Sequence, residues 1–331
     1  MTNSSAEPIG VAVIGSGIIA RRFLVVFDEA PETEVSVLCC RNEEKGLTLA
    51  TARGVEFTSD VTQAVSRQDV DLVYVALPPS KHLEVVKLAL ASGKHVLCES
   101  PLSLSSQECS DLVEAAKSNS HLVTAVNFPL HYLDGAVQFK KLLNTGFCGN
   151  VKHIDIRLRF PTWPRPWQPA SWLSNRDHGG PLREVGMHYL VMLQELFPGI
   201  NLDKVGGTVQ YPGKDGCEDF VVAQLSLENN IVCSFNLLTG VCVAEECQLT
   251  VEGTKGSLCF EDWYKLKGTH NSASEMKTLV SSRNPILRQL ISEMARAIQG
   301  PLEERKKADV VSFEQVLRAH HWLDKIRQSQ P

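Results

Sequence analysis

"VAVIGSGIIARRF", residues 11–23, decides the fold of this chain. A short apolar run from Ile9 stops at Gly15, and helical spacing begins just beyond it, at Ile18. The turn between them reads Gly15-x-Gly17-x-x-Ala20. Gly15 permits a tight turn, Gly17 lets backbone approach a pyrophosphate, and Ala20 lets the helix close on the strand. The helix N-terminus adds free N–H groups and the positive end of its dipole. The stretch therefore predicts a dinucleotide loop made of Gly15, Ser16, Gly17, Ile18 and Ile19. The plainer reading is a glycine turn in a sheet that binds nothing.

Outward from this loop the alternation continues. "EVSVLCC" (34–40), "DLVYVAL" (71–77), "KHVLCES" (94–100) and "LVTAVNF" (122–128) are apolar runs of strand length. Helical patterns separate them, and "SSQECSDLVEAAKSN" (105–119) opens with Ser105-Ser106 as a cap and Glu108 near its third position. Continuous apolar strands alternating with helices predict a parallel, doubly wound sheet of five strands. The pattern changes after Asn127. A helix over 133–146 is followed by alternating segments at 150–160, 205–211, 219–239 and 246–262, with hairpin turns at Asn229-Asn230 and between Gly253 and Gly256. Two helical patterns close the chain, at 285–300 and 312–328. The fold class is α/β: a dinucleotide-binding domain over 1–127, then an α+β domain over 128–331 with a mostly antiparallel open sheet.

Bulk properties exclude several classes. The chain has 331 residues, enough for about two domains, with 43% hydrophobic and 21% charged residues. Net charge is −5 and no long basic run occurs, so a nucleic-acid partner is not expected. No apolar run approaches the roughly 20 residues of a membrane span. "MTNSSAEPIG" (1–10) is a polar tail without the charged and apolar regions of a secretory signal. The ten cysteines are scattered, mostly in apolar runs, as in a reducing, cytoplasmic setting. None has zinc-site spacing.

The carboxyl ends of the strands supply the candidate site. The second run ends Cys39-Cys40-Arg41-Asn42, with no acid at its tip to hold a free ribose 2′-hydroxyl. Arg41 is placed to meet a 2′-phosphate, so NADP(H) is expected over NAD(H). The alternative is a solvated Arg41 beside Glu43 and Glu44. Asn127 ends the fifth run, where it would contact a ligand or cap the next turn. In the second domain Glu184 and His188 are four apart in a helical pattern and share a face. His188 is expected to titrate near neutrality, with Glu184 orienting its ring or raising its pKa. The alternative is a surface polar pair. One His and one Glu make no metal ligand set, so no metal is expected. "RFPTWPRPWQPASWL" (159–173) places three tryptophans among four prolines. It reads equally as a substrate-pocket wall and as a loop across an oligomer interface.

Taken together, the glycine loop, "ALPPSKH" (76–82), "ESP" (99–101) and "GGPLREVGMHYLVML" (179–193) resemble the Gfo/Idh/MocA oxidoreductase family, over nearly the whole chain. The resemblance implies a Rossmann domain and a C-terminal domain whose open sheet serves as an oligomer face, hence a homo-oligomer, dimer or tetramer. It implies hydride transfer between a nicotinamide and a small sugar- or polyol-like substrate. It places Leu77, Pro78, His82 and Glu99 near the cofactor, although His82 also reads as a helix-start packing residue. The sequence departs from the family's pattern twice. Ser100 stands where a lysine is usual, and Glu184 where an aspartate is usual, whereas Glu99, Pro101, Gly186 and His188 match. Serine hydrogen-bonds but carries no positive charge. The expected activity is NADP(H)-dependent reduction of a carbonyl or an imine, with His188, Glu184 and Ser100 as the catalytic set. The other reading is an NADP(H)-binding sensor or scaffold without turnover.

Overall fold

A computed structural model describes residues 7–271, 275–305 and 307–329. The polar tail, residues 1–6, lies outside the described residues. In chain order the elements are β1 (Ile9–Ile14), α1 (Ile18–Glu29), β2 (Thr33–Cys39), α2 (Glu43–Thr51), β3 (Glu56–Thr58), α3 (Val61–Val65), β4 (Leu72–Val75), α4 (His82–Ala91), β5 (His95–Glu99), α5 (Ser106–Ser118) and β6 (Thr124–Asn127). They continue with α6 (Asp134–Asn144), β7 (Val151–Phe160), α7 (Met187–Leu196), β8 (Leu202–Gln210), β9 (Phe220–Leu227), β10 (Ile231–Thr239), β11 (Glu246–Gly253), β12 (Gly256–Glu261), β13 (Lys265–His270) and β14 (Lys277–Val280). Three helices follow: α8 (Ile286–Gln299), α9 (Leu302–Arg305) and α10 (Phe313–Gln328).

Two compact units result. The first comprises the chain to Pro129 plus Pro285–Leu317, and the second Leu130–Asn284 plus Arg318 onward, so the division falls inside α10. The first unit holds a parallel sheet in the order β3-β2-β1-β4-β5-β6. This is the Rossmann order, with the switch point beside β1. The sequence predicts five of these strands. The sixth, β3, has three residues, none buried, and so lacks the apolar run that marks a central strand. Every residue of β1 is buried, as expected of a strand covered on both faces. Phe23 and Phe27 of α1 close one face against Tyr74 of β4, with ring centroids 4.3 and 5.6 Å apart. Helix α8 belongs to this unit: Leu290, Ile291, Met294 and Ala297 are buried, and Arg288 pairs with Glu32 at 2.6 Å.

The second unit is built on an eight-stranded sheet, β14-β13-β12-β11-β7-β10-β9-β8. All neighbours are antiparallel except β7 and β10, which run parallel. Buried residues alternate along β7, β9 and β10, so one face is covered. The β9–β10 turn uses Asn229 and Asn230 at φ 61° and 57°, the left-handed region that asparagine tolerates. Among the described residues, no helix is long and apolar enough to cross a membrane, and no group of three or more metal-ligating side chains is assembled.

Candidate active site

In the first unit the glycine loop joins β1 to α1. Gly15 has φ +132°, and a Cβ there would lie 2.2 Å from the Ala76 carbonyl oxygen, so only glycine fits. Its N–H donates to the Cys39 carbonyl at 2.8 Å. Gly17 is different: nothing lies within 4 Å of where its Cβ would be. It opens α1, whose first turn has no side-chain cap. Clear space over an uncapped N-terminus fits a pyrophosphate, and Ala20, fully buried, lets the helix approach the strand. Ser16 and Ile19 are half-buried, and Ile18 is exposed. Arg41 is exposed just beyond β2. Asn42 caps α2, accepting from Lys45 N–H at 2.8 Å, and Glu43 accepts from the Ser59 hydroxyl at 3.0 Å.

Beyond β4, Leu77 and Pro78 are half-buried. His82 is fully buried. Its Nε2 lies 2.8 Å from the Leu77 carbonyl oxygen, and its Nδ1 lies 3.1 and 3.2 Å from those of Pro101 and Leu102. The imidazole thus ties the loop after β4 to the loop after β5. Desolvation holds its pKa below the usual histidine range, against the pull of these carbonyls.

Glu99 ends β5 directly opposite Asn127 on β6. Its carboxylate accepts from the Tyr74 hydroxyl at 2.6 Å and from the Asn127 amide at 2.9 and 3.2 Å. Burial outweighs these bonds and pushes the carboxyl up to about 7. Tyr74 was not predicted as a site residue; within an apolar strand its one polar atom gives no signal. Half-buried Ser100 follows Glu99.

In the second unit, Glu184 lies in a π turn (Leu182–Gly186), and His188 stands in the first turn of α7. Met187 N–H reaches back to the Leu182 carbonyl, the wide bond of such a turn. In an α-helix, residues four apart are offset by about 40°. A π turn takes more residues per revolution, so Glu184 and His188 are not offset as an ordinary α-helical pair would be. The glycines before it are sterically required. A Cβ on Gly179 would lie 2.5 Å from the carbonyl oxygens of Trp172 and Leu173. One on Gly180, at φ +106°, would lie 2.6 and 2.7 Å from the carboxylate oxygens of Glu218. Glu218, also missed from sequence because it sits in a polar loop, "KDGCEDF" (214–220), is 1% exposed.

Segment 159–173 folds within this unit. Trp163 donates its indole N–H to the Leu173 carbonyl at 3.0 Å. The Arg165 guanidinium carbon lies 6.0, 5.8, 4.8 and 5.5 Å from the ring centroids of Phe160, Trp163, Trp167 and Trp263. Arg165 donates to Gln168 at 2.9 Å and lies 3.6 Å from Glu245. The expectation that His188 titrates near neutrality is corrected here. Burial, aided by the positive charge of Arg165, pushes its imidazole down to about 3. At neutral pH it is uncharged and offers one N–H donor and one acceptor.

Comparison with known proteins finds similar sequences and folds. Residues 9–128 match the family model described as an oxidoreductase family with an NAD-binding Rossmann fold, and residues 136–259 match the GFO/IDH/MocA C-terminal domain. The chain is 26% identical to dTDP-3,4-didehydro-2,6-dideoxy-alpha-D-glucose 3-reductase of Streptomyces violaceoruber, over 98% of this chain and 96% of the relative. Two solved structures share the fold. A 3-ketoreductase from Actinomadura kijaniata, in complex with NADP and TDP-benzene, has a TM-score of 0.80 at 22% identity, covering 98% of both chains. A levoglucosan dehydrogenase in complex with NADH has a TM-score of 0.83 at 20% identity, covering 97% of this chain and 96% of that one.

Proposed function

The chain belongs to the Gfo/Idh/MocA family of nicotinamide-dependent oxidoreductases, and from that premise we propose that it uses NADP(H) to reduce a carbonyl or imine on a small, sugar-like molecule. The observation that carries the reading is the clear space above Gly17 at the uncapped N-terminus of α1. A pyrophosphate there would take the first-turn N–H groups, with Arg41 meeting the adenosine 2′-phosphate. Leu77, Pro78, Glu99 and Asn127 would line the nicotinamide end, and His82 would hold their two loops together. The bound nicotinamide would supply the hydride.

The remaining chemistry belongs to the protein. His188, uncharged at neutral pH, would donate its N–H to the substrate oxygen or nitrogen and polarise the double bond, as a neutral imidazole can. Glu184 would orient the ring, and Ser100 would donate a hydrogen bond to substrate. An imine asks least of the site, because its nitrogen is readily protonated. Relatives that act on ketosugars make a sugar-like carbonyl compound the first substrate to test.

The test is a titration with NADPH and NADH, followed by a panel of carbonyl and imine substrates. NADPH is expected to bind more tightly, and Arg41→Ala to weaken NADPH by about tenfold or more while barely changing NADH. Substrate-dependent NADPH oxidation is expected to vanish in His188→Ala. Tighter NADH binding overturns the cofactor assignment, and cofactor binding without turnover across the panel overturns the catalytic one.

A further inference from the structure

The helix that carries Glu184 and His188 is not capped by its own sequence. The hydrogen bond at its entry comes from Glu218, 36 residues later, whose carboxylate accepts the Leu182 N–H at 2.8 Å. Glu218 sits in the loop between β8 and β9, and that loop is stitched to the segment before the glycine pair. Cys217 N–H donates to the Ser174 carbonyl at 2.9 Å, Arg176 N–H donates to the Asp215 carbonyl at 2.9 Å, and Asn175 bridges Gly216. The carboxylate occupies the space a side chain at position 180 would need. Arg183, 3% exposed, lies in the same turn and donates to the Gly179 carbonyl at 2.6 Å. Burial raises the Glu218 pKa above the usual carboxylate range, against the charge of Arg327, the Leu182 N–H and the charge of Arg183.

A carboxylate this buried is costly unless it does what no neutral neighbour does. Here it accepts from an N–H that the turn leaves open, at the positive end of a helix, where Arg327 and Arg183 add favourable charge. An ordinary cap ends a helix from within its own chain segment. A cap brought in from the β9 entry also sets where the helix sits against the sheet. The π turn begins at Leu182, the residue Glu218 holds; it carries Glu184 and runs directly into the helical turn of His188.

We infer that Glu218 is the positioning residue of this site: its acceptor oxygen on Leu182 N–H holds the π turn that carries Glu184 and leads into the first turn of the helix carrying His188. The inference rests on the proposed role of that pair. Glu218, 1% exposed, would act through the turn and not on substrate or cofactor.

Two substitutions separate reach from charge. Glu218→Gln keeps an oxygen at the same reach and loses the charge, whereas Glu218→Asp keeps the charge and withdraws it by one methylene. The readouts are kcat and KM, NADPH affinity, hydrogen exchange of the amides of 180–188, and the titration of the His188 ring by NMR. Glu218→Gln is expected to retain kcat within about threefold, and Glu218→Asp to lose about tenfold or more with NADPH affinity unchanged. In Glu218→Asp the 180–188 amides exchange faster and the His188 ring titrates at higher pH than in the wild type. An Asp variant that matches or exceeds the Gln variant in exchange protection and His188 titration overturns the inference, as does a loss of melting temperature alone. Exchange and ring titration need no turnover. If the wild type turns over no substrate, the proposed reaction fails while these two readouts still decide the role of Glu218.

Discussion

Glu99 and His188 are both displaced from their ordinary pKa values by burial, in opposite directions on the pH scale, because one is charged when deprotonated and the other when protonated. Glu99 is raised from 4.5 to about 7, so between those values the folded chain holds a proton that the unfolded chain has released. Stability contributed by this group is therefore lost as pH rises from 4.5 to 7, by up to about 3 kcal/mol. Denaturant melts across this window are expected to show wild-type stability falling relative to Glu99→Gln, with the difference flattening only about a unit above pH 7; a constant difference sinks the assignment. The same residue predicts the enzyme's pH response. A kcat/KM ionisation near 7 is expected to disappear in Glu99→Gln, because His188, pushed to about 3, is already neutral there. An ionisation that survives that substitution belongs to another group. At this scale the sequence revealed the residue types but not their titration. The Glu-Ser-Pro letters mark where β5 ends, yet only Tyr74 and Asn127, brought from neighbouring strands, show how the carboxylate is held.

Elements whose signals are local were readable, and those set by distant contacts were not. The start of α5 is an example of the first kind. The Ser105 hydroxyl accepts from Glu108 N–H at 3.2 Å, and the Glu108 carboxylate accepts from Leu104 N–H at 2.9 Å, a box shifted by one residue from the usual reciprocal pair. Ser105→Ala is expected to cost about 1 kcal/mol in equilibrium unfolding, and no measurable loss would show the cap to be idle. The hairpins at Asn229-Asn230 and between Gly253 and Gly256 were likewise read from turn chemistry. Strand β3 was missed because it buries too little to carry a pattern. The π turn was missed for another reason. Apolar and polar spacing over 182–193 is compatible with an ordinary helix, and the wide turn depends on Glu218 and the tight seats of Gly179 and Gly180.

At the scale of the whole molecule, helix α8 shows where chain order and architecture part. It follows the second sheet in sequence but packs into the first unit, its buried face formed by Leu290, Ile291, Met294 and Ala297. Ile291→Ala is therefore expected to cost about 2–5 kcal/mol and to destabilise the dinucleotide-binding unit, whose sheet ends more than 150 residues earlier. Hydrogen exchange is the check: faster exchange confined to 130–284 would place α8 elsewhere. Removing Arg288 from its half-exposed pair with Glu32 is expected to cost less, about 1 kcal/mol or under. The sequence by itself determined the Rossmann unit, the alternating second sheet, the glycine loop and the positions of Glu99, Glu184 and His188. The unit, the sheet and the loop rest on periodicity or turn chemistry within a short window, and the three residues on the family resemblance. Only the tertiary structure decided that α8 returns to the first unit, that Glu218 holds the π turn, and that burial moves the pKa values of Glu99 and His188. These depend on which distant groups share a dry interior, and charge and hydrogen-bond energies there are set by neighbours far away in the chain.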